Sequence, residues 1–244
     1  MRAQHPIPDQ SAIADFDPGL RAFFERVYLK IAGSLILSAM VAGAIAQIPS
    51  VHDLFFATVE GQAVLTGLGV ALLASPIPVL IAAYFLMRES TGRGSGFVLG
   101  LVAALVGGSL TVLSLCVTGA GLISTFLVTA AAFAGLSLWG YIAHQNLRAL
   151  GSFMSLVLAG LVIALLVNLL LESPVVNMVL NGIGILIFSA LIASDTQRLK
   201  NTYYESTDPE VLGAISNFGA LSLYLSFVNL LLLPLSFRPG RTSP

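Results

Sequence analysis

Long apolar segments constrain this chain more than any other feature of its sequence. A helix that crosses the hydrocarbon core of a bilayer needs about 20 predominantly apolar residues, and seven segments meet that requirement. They are Val27–Ile48, Leu65–Met87, Gly96–Val117, Leu122–Ala143, Ser152–Leu171, Val175–Ser194 and Val211–Phe237. Because the links between them are short, the sequence predicts an all-α membrane protein, a single bundle of seven transmembrane helices over residues 27–237.

Charged residues are too scarce to cover a water-exposed surface. Lys, Arg, Asp and Glu make up 9% of the chain, against roughly 25% in an ordinary soluble domain. A soluble enzyme and a disordered chain are therefore both disfavoured, and a net charge of −1 leaves no basic surface for nucleic acid. The HExxH, P-loop and GxSxG motifs are missing, so we expect no enzymatic activity and no resident cofactor.

Basic residues alternate from one side of the membrane to the other. Nine Lys or Arg residues precede or begin the first span or lie in every second link, and the intervening links contain none. By the positive-inside rule the N-terminus is cytoplasmic, so residues 1–26 are predicted to be a cytoplasmic tail that can end in a short interfacial helix from Gly19. Seven spans leave residues 238–244 outside, where Arg238 and Arg241 fit the rule poorly; a re-entrant last segment would place them inside.

Asp195 is the ionisable residue that the sequence predicts inside the bundle. It ends the sixth span on a stripe that shares one helical face. The other members of this stripe are Asn181, Gly184, Phe188 and Leu191, and the seventh span carries a second stripe of Ser216, Gly219, Ser222, Ser226 and Asn229. An ionisable residue in a membrane span indicates function, and the two stripes could enclose a polar path. Close packing and interhelical hydrogen bonds are the alternative.

Arg88 ends the second span at a depth similar to that of Asp195. It is either an ordinary cytoplasmic anchor or the ionic partner of Asp195. Such a pair could hold a pore closed and release it when the acid is protonated, because the attraction is lost with the negative charge.

Several motifs resemble those of the Bax inhibitor-1 (YccA-like) family. The Asp-Thr-Gln-Arg-Leu-Lys run at 195–200 is similar to D-T-Q-x-I-K in the family's sixth helix. Phe133–Tyr141 resembles F-x-G-L-S-x-x-G-Y, and Ala220–Leu230 resembles A-L-x-L-Y-L-D-x-x-N-L. Leu150–Phe153 and Leu166–Asn168 fit the fifth helix. Together the motifs extend over roughly residues 26–237, in the family's order.

The resemblance implies a seven-helix bundle with the C-terminal helix at its centre, and a pH-sensitive calcium leak in a bacterial inner membrane. In calcium-leak members, two aspartates of the last two helices share a proton and an arginine pairs with them. Asp195 and Arg88 match the first acid and the arginine, whereas Ser226 stands at the second acid. Asp195 is then the expected calcium contact, and Ser222, Ser226 and Asn229 are expected to supply neutral oxygens.

Some bacterial members of the same family instead restrain a membrane-bound AAA+ protease. Because Ser226 replaces the second acid, the resemblance leaves this alternative open: a non-conducting regulator that binds the protease. The lipid bilayer is the expected partner in either case, and a membrane protease in the second.

Overall fold

The computed structural model describes residues 17–59, 62–74, 92–114, 119–206 and 208–235. The elements are α1 (Pro18–Gln47), α2 (Pro49–Phe55), β1 (Phe56–Val59), β2 (Gln62–Leu65), α3 (Gly67–Ala74), α4 (Gly92–Ser114), α5 (Gly119–Ile142), α6 (Arg148–Leu171), α7 (Pro174–Glu205) and α8 (Pro209–Leu235). Six of them, α1 and α4 to α8, are long and apolar enough to cross a membrane. An all-α membrane protein is thereby confirmed. Most of the predicted second span lies outside the described residues, so the count of seven stays a prediction.

The long helices begin at residues that stabilise a helix start. The Asp17 carboxylate accepts hydrogen bonds from the backbone N–H groups of Gly19 and Leu20, and Pro18 occupies the first turn of α1. Ser173 accepts a hydrogen bond from Val176 N–H in the same way before Pro174 begins α7. Such caps satisfy N–H groups that have no partner within the helix, and proline is favoured at this position because its ring presets the backbone.

Helix α1 begins nine residues before the predicted first span. Leu20, Phe23 and Phe24 are buried on this extension. The Phe24 ring lies 5.2 Å from that of Tyr141 on α5, and the Phe23 ring lies 5.3 Å from that of Tyr203 on α7. Residues 18–26 are therefore helical and packed on the bundle, as a continuation of the helix that the sequence predicted from Gly19. The boundaries of the tail and of the membrane domain stay predictions.

A short β-hairpin lies between α2 and α3, where the sequence predicted only a link. Strands β1 and β2 pair antiparallel, with Phe56 opposite Leu65 and Val59 opposite Gln62. The Thr66 hydroxyl donates to the Leu54 carbonyl oxygen at 2.7 Å, which holds the base of the hairpin to α2. Leu65, the predicted first residue of the second span, is thus the last residue of β2.

The C-terminal helix lies at the centre of the described bundle. In its most apolar 18-residue window, 61% of α8 is buried, against 6% of α6. Helix α8 packs against α1, α4, α5 and α7, and Leu223 and Tyr224 on it are fully buried. A helix buried on all sides needs no polar face, which explains why apolar residues surround its serine stripe. Helix α6 packs mainly against α7 and exposes Leu156 and Leu170, as expected of a helix that faces lipid.

Candidate functional site

Asp195 lies near the predicted cytoplasmic end of the bundle with both carboxylate oxygens paired. Its side chain is 15% exposed. The Ser222 hydroxyl of α8 donates a hydrogen bond to Oδ2, and Nη2 of Arg198 lies 3.2 Å from Oδ1. The negative charge is therefore balanced by a guanidinium one turn further along α7, and a hydroxyl ties it to the central helix.

A polar pocket of about 380 Å³ opens beside Asp195 between α6 and α7. We call it the α6–α7 pocket. It is lined by Arg148, Gly151, Ser152, Ser155, Ser194, Asp195, Gln197, Arg198, Asn201, Thr202 and Glu205. The Arg198 side chain is 64% exposed, so its guanidinium lies where water can reach it and can leave Asp195 without crossing the protein interior.

The charged residues around Asp195 do not form a metal cage. In the described ranges, no group of three or more His, Cys, Asp and Glu residues could hold a metal ion. Calcium takes six to eight oxygen ligands, usually from several carboxylates and carbonyls. Asp195 and Ser222 together offer too few oxygens for a resident ion.

The pairing of α7 with α8 decides which predicted residue meets Asp195. A Cβ atom added to Gly219 would overlap the Leu199 side chain, and one added to Gly184 would lie 2.9 Å from that of Leu233. The two helices therefore run antiparallel in one constant register, and Ser222 faces Asp195 within it.

Ser226 and Asn229 lie deeper along the same helix. The register places Ser226 one turn from Ser222, about 6 Å along the helix axis, at the level of Leu191. Ser226 is buried. The Asn229 side-chain amide donates to the Leu225 carbonyl oxygen of its own helix at 2.8 Å. Of the hydroxyl and amide groups predicted on this stripe, the one that reaches the Asp195 carboxylate is therefore Ser222.

Arg88, the predicted partner of Asp195, lies outside the described residues, so that pairing stays a prediction. The structure shows Arg198 in contact with the carboxylate. Sequence reasoning overlooked Arg198, although opposite charges three residues apart on a helix are a recognised signal for an ion pair. Asp195 and Arg198 have that spacing.

Thr196, the second residue of the Asp-Thr-Gln motif, ties α7 to a different neighbour. Its hydroxyl lies 3.0 Å from that of Ser137 on α5, which lies 2.5 Å from the Tyr28 hydroxyl on α1. Three helices are joined by this chain of hydroxyl groups. Ser137 is the serine of the α5 motif that resembles the family, and its packing role has no signal in sequence spacing alone.

Gln197, the third residue of the motif, holds the connection between α5 and α6. Its Oε1 accepts from Leu147 N–H at 2.7 Å, and its Nε2 donates to the carbonyl oxygens of Ala143 and Gln145 at 3.0 and 2.7 Å. Because Leu147 is buried, the bond to its N–H satisfies a backbone group that would otherwise lack a partner. The connection is thereby fixed beside the α6–α7 pocket.

The glycine and tyrosine of the α5 motif also have packing roles. A Cβ atom on Gly140 would overlap the Ala193 carbonyl oxygen, so only glycine permits this close approach of α5 to α7. Lys200 Nζ donates to the Tyr141 carbonyl oxygen at 3.0 Å and lies 4.9 Å from the centre of its ring.

Residues 20–237 match the model of a family described as "Inhibitor of apoptosis-promoting Bax1". The chain belongs to the Bax inhibitor-1 family. The resemblance of its motifs is thereby confirmed over their whole extent. In this Bax inhibitor-1 family chain, several motif residues join α7 to its neighbours α8, α5 and the α5–α6 connection. These residues are Asp195, Thr196, Gln197, Ser137 and Gly140.

Full-length bacterial relatives support the same assignment. A protein of Caulobacter vibrioides is 41% identical over 236 residues, covering 96% of this chain and 94% of the relative. A Rickettsia prowazekii protein is 35% identical over 228 residues, covering 93% and 92%. The inner membrane protein YbhL of Escherichia coli is 34% identical over 236 residues, covering 96% and 98%. With the membrane-spanning helices, these relatives confirm the predicted multi-pass protein of a bacterial inner membrane.

Proposed function

We propose that this Bax inhibitor-1 family protein is a pH-sensitive leak for calcium or another cation, and that Asp195 controls it. The observation that carries the proposal is the state of the Asp195 side chain. It is 15% exposed, it is paired with Arg198 and Ser222, and it borders a polar pocket. A charge kept this close to the membrane interior is costly and is expected where it has a function.

Protonation of Asp195 would weaken the contacts that join α7 to α8 at this level. The ion pair with Arg198 would lose its attraction, and Ser222 would donate to a neutral acid instead of a carboxylate. A largely exposed ion pair is worth about 0.2–1 kcal/mol, and a hydrogen bond to a charged group about 1.5–3 kcal/mol. The free energy lost when both contacts weaken is large enough to shift the populations of a closed and an open state.

Among the described residues, the face of α7 that leads inward from Asp195 is buried and apolar as far as Asn181. The inner face of α7 continues through Leu191, Phe188 and Gly184 to Asn181, all of them buried. Asp195 and Asn181 are 14 positions apart, which is about 21 Å along a helix, and the side chains between them carry no polar group. Conduction along this face therefore requires α7 to move against α6 or α8.

In this proposal Arg88 is a second basic partner of Asp195. It ends the predicted second span on the cytoplasmic side, so an approach to Asp195 would add a second guanidinium to the one that Arg198 supplies. Calcium enters as the transported ion, in transient contact with Asp195, and we propose no resident cofactor and no catalytic activity.

Calcium flux tests the proposal directly. The full chain is reconstituted into liposomes that contain a calcium-sensitive dye, and influx is measured from pH 4 to 8. We expect wild-type influx to rise towards the acidic end of this range, because a neutral Asp195 forms no ion pair with Arg198. The Asp195→Asn variant, which cannot ionise, should show pH-independent influx. Asp208→Asn is the matched control, because Asp208 lies at the start of α8 and outside the pocket, and it should keep the wild-type pH profile.

Absence of influx in the wild type at every pH would contradict the leak and favour the second candidate, a non-conducting regulator of a membrane-bound AAA+ protease. Ser226 supports that candidate, because it leaves the site with one carboxylate. The test is to co-reconstitute the chain with such a protease and measure the degradation of a membrane substrate. The regulator hypothesis expects slower degradation in its presence, and an unchanged rate would contradict it.

A further inference from the structure

We propose that the α6–α7 pocket binds the headgroup of a zwitterionic phospholipid. The phosphate would lie between Arg148 and Arg198, and the ammonium group of an ethanolamine headgroup would lie at Glu205. The proposal concerns binding of a membrane lipid and does not depend on the leak described above.

The charges that line the pocket suit a ligand with both signs. Arg148 and Glu205 form no ion pair with another described residue, and Arg198 presents Nη2 alone to Asp195, which leaves further guanidinium N–H groups available. Two arginines and two acids give the lining a balanced charge. A purely anionic headgroup would meet Glu205 without compensation, whereas an ethanolamine headgroup supplies an ammonium group.

The heights of these side chains match the order of groups in a phospholipid. Gly151 packs directly against Ser194, so Arg148 and Arg198, each about one turn further out, flank the pocket at one level. Glu205 follows Arg198 by seven residues on the same helix, about 10 Å further from the bilayer centre. The phosphate lies between the glycerol and the ammonium group in such a lipid. The deeper arginines therefore lie at the height of the lipid phosphate, and Glu205, further out, lies at the height of the ammonium group.

The membrane side of the pocket continues into an apolar strip that an acyl chain can follow. Ser152 lines the pocket, and Leu156 lies one turn deeper on the same face of α6. Leu156, Ile163 and Leu170 recur at intervals of seven residues and are 71%, 63% and 85% exposed. Basic pockets between transmembrane helices on the cytoplasmic side are known lipid headgroup sites. The continuity of the polar pocket with this strip favours a bilayer lipid over a soluble zwitterion.

Neutral polar groups complete the lining. Ser152 and Ser155 line the pocket one to two turns deeper than Arg148, and Asn201 lies between the levels of Arg198 and Glu205. They are hydrogen-bonding groups of the kind that phosphate and ester oxygens require. The pocket thus offers two cationic donors, an anionic acceptor and neutral donors to a single headgroup.

Native mass spectrometry of the full chain in detergent tests the proposal. Equal concentrations of dioleoyl phosphatidylethanolamine, phosphatidylcholine and phosphatidylglycerol are added, and retained lipid is counted. We expect one phosphatidylethanolamine to be retained about fivefold more than the other two, because only a primary ammonium donates to Glu205. Arg148→Gln should lower retention of all three about tenfold, and Glu205→Gln should abolish the preference. Arg26→Gln, an exposed arginine on α1 outside the pocket, is the matched control and should retain lipid as the wild type does.

Three results would overturn the proposal. The first is equal retention of phosphatidylethanolamine and phosphatidylglycerol by the wild type. The second is identical retention by Arg148→Gln and Arg26→Gln. The third is displacement of the lipid by an equal concentration of soluble phosphoethanolamine, which would assign the pocket to a soluble zwitterion. All of these variants change exposed side chains, and the folded fraction is checked by circular dichroism. None of these outcomes bears on calcium flux.

Discussion

Replacing Gln197 with leucine should destabilise the protein more than its position at a helix end suggests. The two side chains are similar in volume, so packing changes little. The amide, however, forms three hydrogen bonds to the connection between α5 and α6, to Leu147 N–H and to the carbonyl oxygens of Ala143 and Gln145. Leucine removes all three, and Leu147, which is 5% exposed, keeps a buried N–H group.

The magnitude follows from the number of bonds. A hydrogen bond contributes about 1 kcal/mol net in a soluble protein, and about 0.6 kcal/mol on average between membrane helices. Three bonds are therefore worth about 2–3 kcal/mol, and the unpaired Leu147 N–H adds about 1 kcal/mol or more. Burial of the leucine side chain offsets part of this loss, so we expect the free energy of unfolding to fall by about 2–4 kcal/mol.

Reversible unfolding in mixed dodecyl maltoside and SDS micelles measures this loss, with helicity followed by circular dichroism. The matched control is Gln145→Leu, because the Gln145 side chain is exposed and contributes only its backbone carbonyl to the contact. We expect the control to stay within about 0.5 kcal/mol of the wild type. If Gln197→Leu also stays within that range, Gln197 does not hold the connection in the way that its hydrogen bonds indicate.

Three further predictions concern packing and polar contacts within the bundle. Gly140→Ala should destabilise the protein by about 1–3 kcal/mol, because the added Cβ overlaps α7. Gly135→Ala, with open space around it, should stabilise the protein by up to about 1 kcal/mol. Equal effects of the two substitutions in the same unfolding assay would refute the close contact of Gly140 with α7. A double-mutant cycle of Tyr28→Phe and Ser137→Ala should give a coupling of about 0.5–1.5 kcal/mol, and zero coupling would argue against their hydrogen bond. Asn181→Leu should stabilise by about 1 kcal/mol, because the buried Nδ2 has no hydrogen-bond partner among the described residues; a loss of stability would indicate that the amide has one.

The sequence was sufficient for those features that depend on local composition. Apolar runs of spanning length predicted helices α1 and α4 to α8, because burial in lipid demands such runs. Most of the predicted helix ends lie within a few residues of the observed ones. The hairpin of β1 and β2 was missed, since two four-residue strands leave little periodicity to detect. Helix α7 extends eleven residues past the predicted end at Ser194, because its last turns are polar and yet pack on the bundle through Leu199 and Tyr203.

The candidate site could be predicted only in part. The inward face of Asp195 followed from its helical stripe. Ser222 rather than Ser226 faces Asp195 because the register of α7 on α8 depends on contacts such as Gly219 with Leu199, which are far apart in sequence. The role of Gln197 is also tertiary, since it needs the α5–α6 connection to fold back over α7. Arg198 was within reach of the sequence through its spacing from Asp195.

The most direct test of the central claim, that the ion pair between Asp195 and Arg198 holds the path closed, is calcium influx into liposomes at pH 8 with Arg198 replaced. Because an ion pair with an exposed guanidinium is worth about 0.2–1 kcal/mol, Arg198→Gln should raise influx about 1.4- to fivefold over the wild type at this pH. Arg198→Lys, which keeps the charge, should restore most of the closed state. Influx at pH 8 that is the same in the wild type, Arg198→Gln and Arg198→Lys would contradict the account.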